Sequence, residues 1–350
     1  MNFKIGKAEI SNERVCIIAE AGVNFNNDLS IAEKLIKEAK NAGADIIKFQ
    51  TYKAEKLVMK NAPRFWDWEG ELKSDGSQFD SYKALDSFGF KEFSEIKKIC
   101  DNFDIEFMST PFDEESVDML IELGVKGFKI ASCDITNFPL IKYISNKKLP
   151  ILLSTGASNI KEIGNALNLI KNNGNPSVCI MQCTLCYPTE IVNANLNSIT
   201  DIKKNFPEYI IGLSDHTLGV LTGPASILLG VRVIEKHYTI DKSLGMSADH
   251  WLSVDPQELN SLVNNSKDIF KSIGNSEKFA LECEIPTLTN ARRSLVTKKE
   301  LKKGSTVSLG DLIALRPGTG IPPNELEKII GKKTNRDIPT NSMIKYSDFE

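Results

Sequence analysis

Residues 209–237, YIIGLSDHTLGVLTGPASILLGVRVIEKH, decide the fold. Two short runs rich in Val and Ile, Tyr209–Leu213 and Val231–Lys236, flank a helix-length stretch, which is the pattern of a β-α-β unit. Both runs end in polar, titratable residues, Ser214-Asp215-His216 after the first and Glu235 and His237 at the close of the second. The same pattern recurs upstream. Val15–Ala19, Asp45–Gln50, Glu106–Ser109, Gly127–Ala131, Pro150–Ser154 and Val178–Gln182 read as strands, with amphipathic stretches between them. In Leu29–Asn41, for example, Ala32, Leu35, Ile36 and Ala39 form one apolar stripe, Asn27 or Asp28 can cap the start and Gly43 closes the end. Eight consecutive units within about 270 residues fit a closed (β/α)8 TIM barrel better than an open doubly wound sheet, because the barrel takes roughly 250 residues. No glycine-rich dinucleotide turn follows the first strand.

Two stretches break the period. Tyr52 to Phe88, with Trp66 and Trp68 among scattered charges, is an insertion between the second strand and its helix. A long loop there lies at the carboxyl face of a barrel and reads as a substrate cover. After Gly274 helical periodicity fades, and from Arg292 short β-like pieces alternate with Gly304, Gly310, Gly318 and Gly320. The expected organisation is a catalytic barrel over residues 1–275, a linker over 276–290 and a small β-rich domain over 291–350.

Composition excludes several classes. Of the 350 residues, 41% are hydrophobic and 25% charged, and no apolar run approaches the ~18 residues of a membrane span. Met1 to Ile10 carries Lys4, Lys7 and Glu9 and has no apolar core of a secretory signal, so the protein is expected in the cytoplasm. The formal charge of −3 argues against a general nucleic-acid binder. It is unevenly spread: residues 291–350 hold twelve Lys or Arg against seven Asp or Glu, leaving −8 for the rest. Seven cysteines at irregular spacing read as reduced thiols, and the one CxxC pair, Cys183 and Cys186, reads as buried small hydrophobes rather than a zinc or redox motif.

Side chains at the carboxyl ends of barrel strands point into the active site. Here they are Glu20; Lys48 and Gln50; Ser109 and Thr110; Lys129, Ser132 and Asp134; Ser154 and Thr155; Ser214, Asp215 and His216; Glu235 and His237. Two lysines converging with several hydroxyls suit a phosphate plus a carboxylate, hence a small doubly anionic substrate. Taken singly, each lysine could instead be paired with a neighbouring carboxylate. His216 and His237 close the last two strands, which neighbour each other in a barrel, and can share one divalent metal with positions left for water and substrate. Mn²⁺, Mg²⁺ or Co²⁺ suits such a site better than a closed structural zinc, which wants four N or S ligands.

These segments resemble the sialic acid synthase family, which condenses phosphoenolpyruvate with an acylated amino-hexose to make nine-carbon sugar acids. The resemblance rests on Glu20-Ala21-Gly22-Val23-Asn24, Ile47-Lys48-Phe49-Gln50-Thr51, Ser109-Thr110-Pro111-Phe112, Phe128-Lys129-Ile130-Ala131-Ser132, Leu153-Ser154-Thr155-Gly156, Cys183-Thr184 with Tyr187-Pro188-Thr189, Gly212-Leu213-Ser214-Asp215-His216-Thr217 and Ile234-Glu235-Lys236-His237-Tyr238-Thr239. The tail, with Arg316-Pro317-Gly318, resembles the family's antifreeze-like (SAF) domain.

The resemblance implies roles. His216 and His237 match metal ligands, with Mn²⁺ the first choice; Lys48, Thr110, Lys129, Ser132, Ser154 and Ser214 match the groups that hold phosphoenolpyruvate; Glu20 is the candidate for proton handling. Asp134, Tyr187, Asp249 and Arg316 match positions around the sugar, N-acetylmannosamine or a 2,4-diamino-trideoxyhexose derivative. The family also implies a homodimer whose swapped C-terminal domain brings Arg316 to the partner's site, with no nucleic-acid or membrane partner. Departures at Phe25, Leu185 and Ser247-Ala248 fall on the acceptor side as the family places it. Two other readings stay open: a catalytically dulled relative that only binds an anionic sugar, and a metal-dependent barrel hydrolase.

Overall fold

The computed structural model describes residues 2–66 and 76–350, which divide into two units after Gly274. Trp68, read above as part of the loop insertion, lies outside the described residues. The chain begins with a hairpin, β1 (Phe3–Ile5) and β2 (Ala8–Ile10), turned at Gly6. All eight expected barrel strands follow: β3 (Cys16–Gly22), β4 (Ile46–Thr51), β5 (Glu106–Pro111), β6 (Phe128–Ile130), β7 (Ile151–Ser154), β8 (Val178–Cys183), β9 (Ile210–Asp215) and β10 (Val231–His237). They form one parallel sheet in the order β5-β4-β3-β10-β9-β8-β7-β6. The first barrel strand pairs with the last, and β5 and β6 lie side by side at the seam, so the sheet curls into a nearly closed barrel.

The two-residue period of a strand sorts its side chains into two layers. Outward residues such as Ile17, Ala19, Ile47, Phe49 and Phe107 pack in the core shared with the surrounding helices. Inward residues at the starts of the strands, among them Cys16, Ile18, Ile46, Met108 and Leu152, form a second core with Ile5, Ala8 and Ile10 of the hairpin. The hairpin thus seals the amino-terminal end of the barrel, a role that its three-residue strands do not announce in sequence. Inside, Gly212 makes room for Met181: a Cβ there would run into the Met181 sulfur. That end is closed by apolar packing and by Glu106, whose buried carboxylate accepts the Lys7 amide of the hairpin turn at 2.9 Å, and the polar residues of the cavity lie at the other end.

The helix over Leu29–Ala42 follows its expected stripe, burying Ala32, Leu35, Ile36, Ala39 and Ala42. Asp28 is the cap, accepting the Ser30 amide at 2.7 Å, and Gly43 ends the helix at φ 93°. No helix among the described residues is long and apolar enough to cross a membrane.

In the second unit, residues 276–290, read above as a linker, include the beginning of a short helix, Ile285–Ala291. Beyond it β11 (Ser294–Thr297) and β12 (Leu312–Leu315) pair antiparallel. Leu295, Leu301, Val307, Ile329, Ile338 and Ile344 build a separate small core. Arg316 is exposed in the turn after β12, where Ser294 accepts the Gly320 amide at 2.8 Å and donates to the Pro317 carbonyl at 2.6 Å.

Candidate active site

A cavity of about 680 Å³ opens at the carboxyl ends of the strands. Its floor is made by the inward positions of successive strands: Glu20 on β3, Lys48 on β4, Thr110 on β5, Lys129 on β6, Ser154 on β7, Cys183 on β8, Ser214 on β9, and Glu235 and His237 on β10. Ser132 and His216 join from just beyond β6 and β9.

Both lysines are buried and paired with carboxylates. Lys48 Nζ lies 2.5 Å from Glu20 Oε2 and 3.7 Å from Glu235 Oε2, and donates to Thr110 Oγ1 at 3.0 Å. Lys129 Nζ donates to Glu235 Oε1 at 2.9 Å, the oxygen that also accepts the Ser214 hydroxyl at 2.9 Å. Burial acts to raise the Glu235 carboxyl, but Lys129 and Lys48 outweigh it and hold the group well below the usual carboxylate range. At Glu20 burial wins over Lys48, and the carboxyl sits above its ordinary value. Glu235 is thus the hub of the floor, although the strand-end reading assigned it no role. Gln50 is a second such residue, donating to Glu20 Oε1 at 3.1 Å.

The imidazoles of His216 and His237 stand with ring centroids 5.2 Å apart, and the Tyr187 ring packs 4.1 Å from His216 and 5.6 Å from His237. His216 Nδ1 donates to the Thr184 carbonyl at 2.9 Å and His237 Nδ1 to Asp249 Oδ2 at 3.1 Å. An imidazole held at Nδ1 by a carbonyl or carboxylate presents Nε2 as a metal donor. This chemistry fits a divalent ion on two nitrogens. Among the described residues no cluster of three or more His, Cys, Asp or Glu forms a larger metal site. Burial disfavours the His237 cation, but Asp249 and Glu20 outweigh that effect and raise its pKa.

The remaining candidates divide. Tyr187 and Asp249 line the cavity. Ser132 lines it too, its hydroxyl accepting the Gly156 amide at 2.9 Å. Asp134 is not among the lining residues: it accepts from Asn137 Nδ2 at 3.0 Å at the start of a helix. Arg316 belongs to the second unit. Of the three sequence departures, Leu185 and Ser247-Ala248 line the cavity, whereas Phe25 does not. Phe25 is buried against Phe49, Phe88 and Phe93, with centroids at 5.9, 4.8 and 6.3 Å, and so belongs to the outer core rather than to an acceptor pocket. All seven cysteines are free. Cys183 is buried as expected and faces the cavity from β8, but Cys186 is exposed and lines the cavity from the loop over residues 184–190 rather than joining the core.

The outer wall differs from the floor. Tyr52, Phe65, Trp66, Tyr82 and Leu85 come from the described part of the insertion after β4, and Met246 and Trp251 from the segment after β10. The insertion therefore does reach the cavity.

Residues 35–278 match the model of the NeuB family and residues 292–350 that of the SAF domain. An N,N'-diacetyllegionaminic acid synthase of Legionella pneumophila is 38% identical over 338 residues, covering 95% of this chain and 94% of the relative. A second of that name, from Campylobacter jejuni, is 38% identical over 335 residues, covering 95% and 99%. The crystal structure of an N-acetylneuraminic acid (sialic acid) synthetase from Leptospira borgpetersenii, in complex with citrate, superposes with a TM-score of 0.73 at 34% identity, covering 82% of this chain and 95% of that one. A barrel with this floor, in a chain matched from end to end by such relatives, belongs to the NeuB family and ends in a SAF domain.

Proposed function

We propose that the protein condenses phosphoenolpyruvate with the open-chain aldehyde of an N-acylated amino-hexose, releasing phosphate and forming a nonulosonic acid of the sialic type. The observation that carries this reading is the presence of two buried ammonium groups, Lys48 and Lys129, in the same cavity as two imidazoles whose Nδ1 atoms are engaged by Thr184 and Asp249. An ammonium has three donors. Among the described residues Lys129 uses one on Glu235, which leaves two for a phosphate or carboxylate oxygen, and the Ser154 hydroxyl, 1% exposed and without a partner among them, faces the same space.

His216 and His237 would hold a divalent metal, Mn²⁺ by preference, which when bound would supply a Lewis acid for the aldehyde oxygen. The residues do the rest. Lys48, Lys129 and the hydroxyls of Thr110, Ser132, Ser154 and Ser214 hold phosphoenolpyruvate with C3 toward the aldehyde carbon. As the C–C bond forms, positive charge develops at C2, which water attacks, and the alkoxide left on the aldehyde oxygen takes the proton that Glu20 removes from that water. Glu20, buried and above its ordinary pKa, accepts the proton of that water. The tetrahedral carbon then expels phosphate, whose charge the lysines already face.

The aromatic outer wall, with Tyr52, Trp66, Tyr82 and Trp251, supports a 2,4-diacetamido-2,4,6-trideoxyhexose as acceptor over N-acetylmannosamine, since the acceptor's methyl and acetamido methyl groups pack on such rings. The names of the 38%-identical relatives point the same way. Tyr187 and Asp249, which line the cavity, make the acceptor contacts in this reading, with Arg316 reaching the site in a swapped homodimer that works in the cytoplasm.

Phosphate release from phosphoenolpyruvate, assayed with Mn²⁺ against both sugars, tests this reading. Release that requires the trideoxy sugar and stops on chelation is the expected result. Release without any sugar would indicate a hydrolase, and binding without release a dulled relative.

A further inference from the structure

The ladder between β9 and β10 sets Lys236 opposite Asp215, each one residue before a metal-site imidazole. Their neighbours Ser214, His216, Glu235 and His237 line the cavity, so Asp215 and Lys236 point to the outer face of the barrel. The other outward residues there, Ile211, Leu213 and Ile234, are core apolar residues. An apolar pair in register at 215 and 236 would join the strands at least as well, because a buried ion pair gains little over well-packed hydrophobes. What an apolar pair cannot do is hold the chain beyond the strand.

The ion pair does so. Lys236 Nζ donates to Asp215 Oδ2 at 2.9 Å and to the Thr217 carbonyl. Asp215 Oδ1 accepts the Thr217 amide at 2.9 Å and its hydroxyl at 2.8 Å, and Oδ2 accepts the Thr222 hydroxyl at 2.6 Å. Lys236, Asp215, Thr217 and Thr222 are all buried. The residues on both sides of His216 are therefore tied, through one ammonium, to the residue that precedes His237.

We infer that Lys236 and Asp215 are positioning residues which, from outside the cavity, fix the separation of His216 and His237 for a divalent cation. This rests on the metal-binding reading above. None of Asp215, Thr217, Thr222 and Lys236 lines the cavity, so the effect of the network passes through the backbone of residues 215–217 and 236–237. Outer partners that orient metal-ligating histidines typically contribute 10- to 100-fold in metal affinity.

The test is a titration of the purified full chain with Mn²⁺, following free Mn²⁺ by electron paramagnetic resonance, alongside thermal melting. His216→Ala is the control: if it binds Mn²⁺ as the wild type does, the metal reading itself fails. With that control behaving, Lys236→Met is expected to weaken Mn²⁺ binding at least tenfold and to lower the melting temperature. The double variant Asp215→Leu/Lys236→Met, which restores an apolar pair, is expected to recover the melting temperature but not the affinity. A double variant with wild-type melting and Mn²⁺ affinity within twofold of wild type would overturn the inference. Should neither lysine variant fold, Thr217→Val keeps the ion pair while cutting one tie; a loss of threefold or more supports the inference, and an unchanged affinity overturns it.

Discussion

Glu20 and Lys48 stand in register on β3 and β4, and their side chains, each 2% exposed, meet at 2.5 Å across the cavity floor. The pair faces inward at the place where an anionic substrate would settle, so the carboxylate both neutralises the ammonium before binding and stays beside the reacting atoms afterwards. Glu20→Gln keeps the shape and removes the proton acceptor. Turnover in the phosphate-release assay is expected to fall about 10²-fold or more. Because Lys48 loses a counter-charge, the KM for phosphoenolpyruvate should stay level or drop. Near-normal turnover would take proton handling away from Glu20.

Glu235 has a different part. It is the only carboxylate on Lys129 among the described residues and shares Lys48 with Glu20. Glu235→Gln leaves a buried cation without its partner, a change that costs about 3–5 kcal/mol. Urea denaturation should show that loss in the ligand-free protein. Inorganic phosphate should recover more stability in the variant than in the wild type, since the anion then takes the place of the missing charge. Equal phosphate effects in the two proteins would mean that Glu235 does not balance the lysines.

The fold was largely legible because parallel strands buried on both faces read as continuous apolar runs, and Val231–Lys236 or Val178–Gln182 need no long-range information to be recognised. The pairing of charges was not. Lys129 and Glu235 are 106 residues apart in the chain, and only closure of the barrel brings them to 2.9 Å. Sequence gives the list of strand-end side chains but not which of them neutralise one another. Phe25 marks a second limit: a residue just past a strand can turn to the cavity or to the helix layer, and three phenylalanines waiting in that layer decided it. The hairpin over Phe3–Ile10 was missed for a third reason, since three-residue strands carry too few alternations to show a period.

The SAF domain should show its own acid response. Asp311 accepts the Ser308 amide at 2.7 Å and hydroxyl at 2.8 Å and meets Lys299 Nζ at 2.7 Å. The Lys299 contact, with the Ser308 bonds, holds its carboxyl at about 2. An unfolded Asp titrates near ~3.9. The unfolded chain therefore binds the proton first as pH falls, and the stabilisation is complete above about pH 4 and lost progressively toward pH 2. Calorimetry of the full chain should show a C-terminal transition that is lower at pH 3 than at pH 7, with the gap narrowed in Asp311→Asn. An identical gap in that variant would assign the acid response to other carboxylates.

Arg316 can be tested for action across a dimer. It is exposed in a turn pinned by Ser294, in a domain whose sequence carries a surplus of five positive charges. An exposed guanidinium is free to pair bidentately with a carboxylate-bearing ligand. In a twofold dimer with swapped C-terminal domains, each active site combines the His216 of one chain with the Arg316 of the other. Arg316→Ala and His216→Ala should each be inactive alone. Mixed after subunit exchange, they form heterodimers in which one site has an intact His216 barrel and receives an intact Arg316 from the partner. Phosphate release should then return to about a quarter of the wild-type level, as random exchange puts half the chains in heterodimers with one competent site of two. Heterodimers that form, as seen by native mass spectrometry, and yet stay inactive would confine Arg316 to its own chain or remove it from the site.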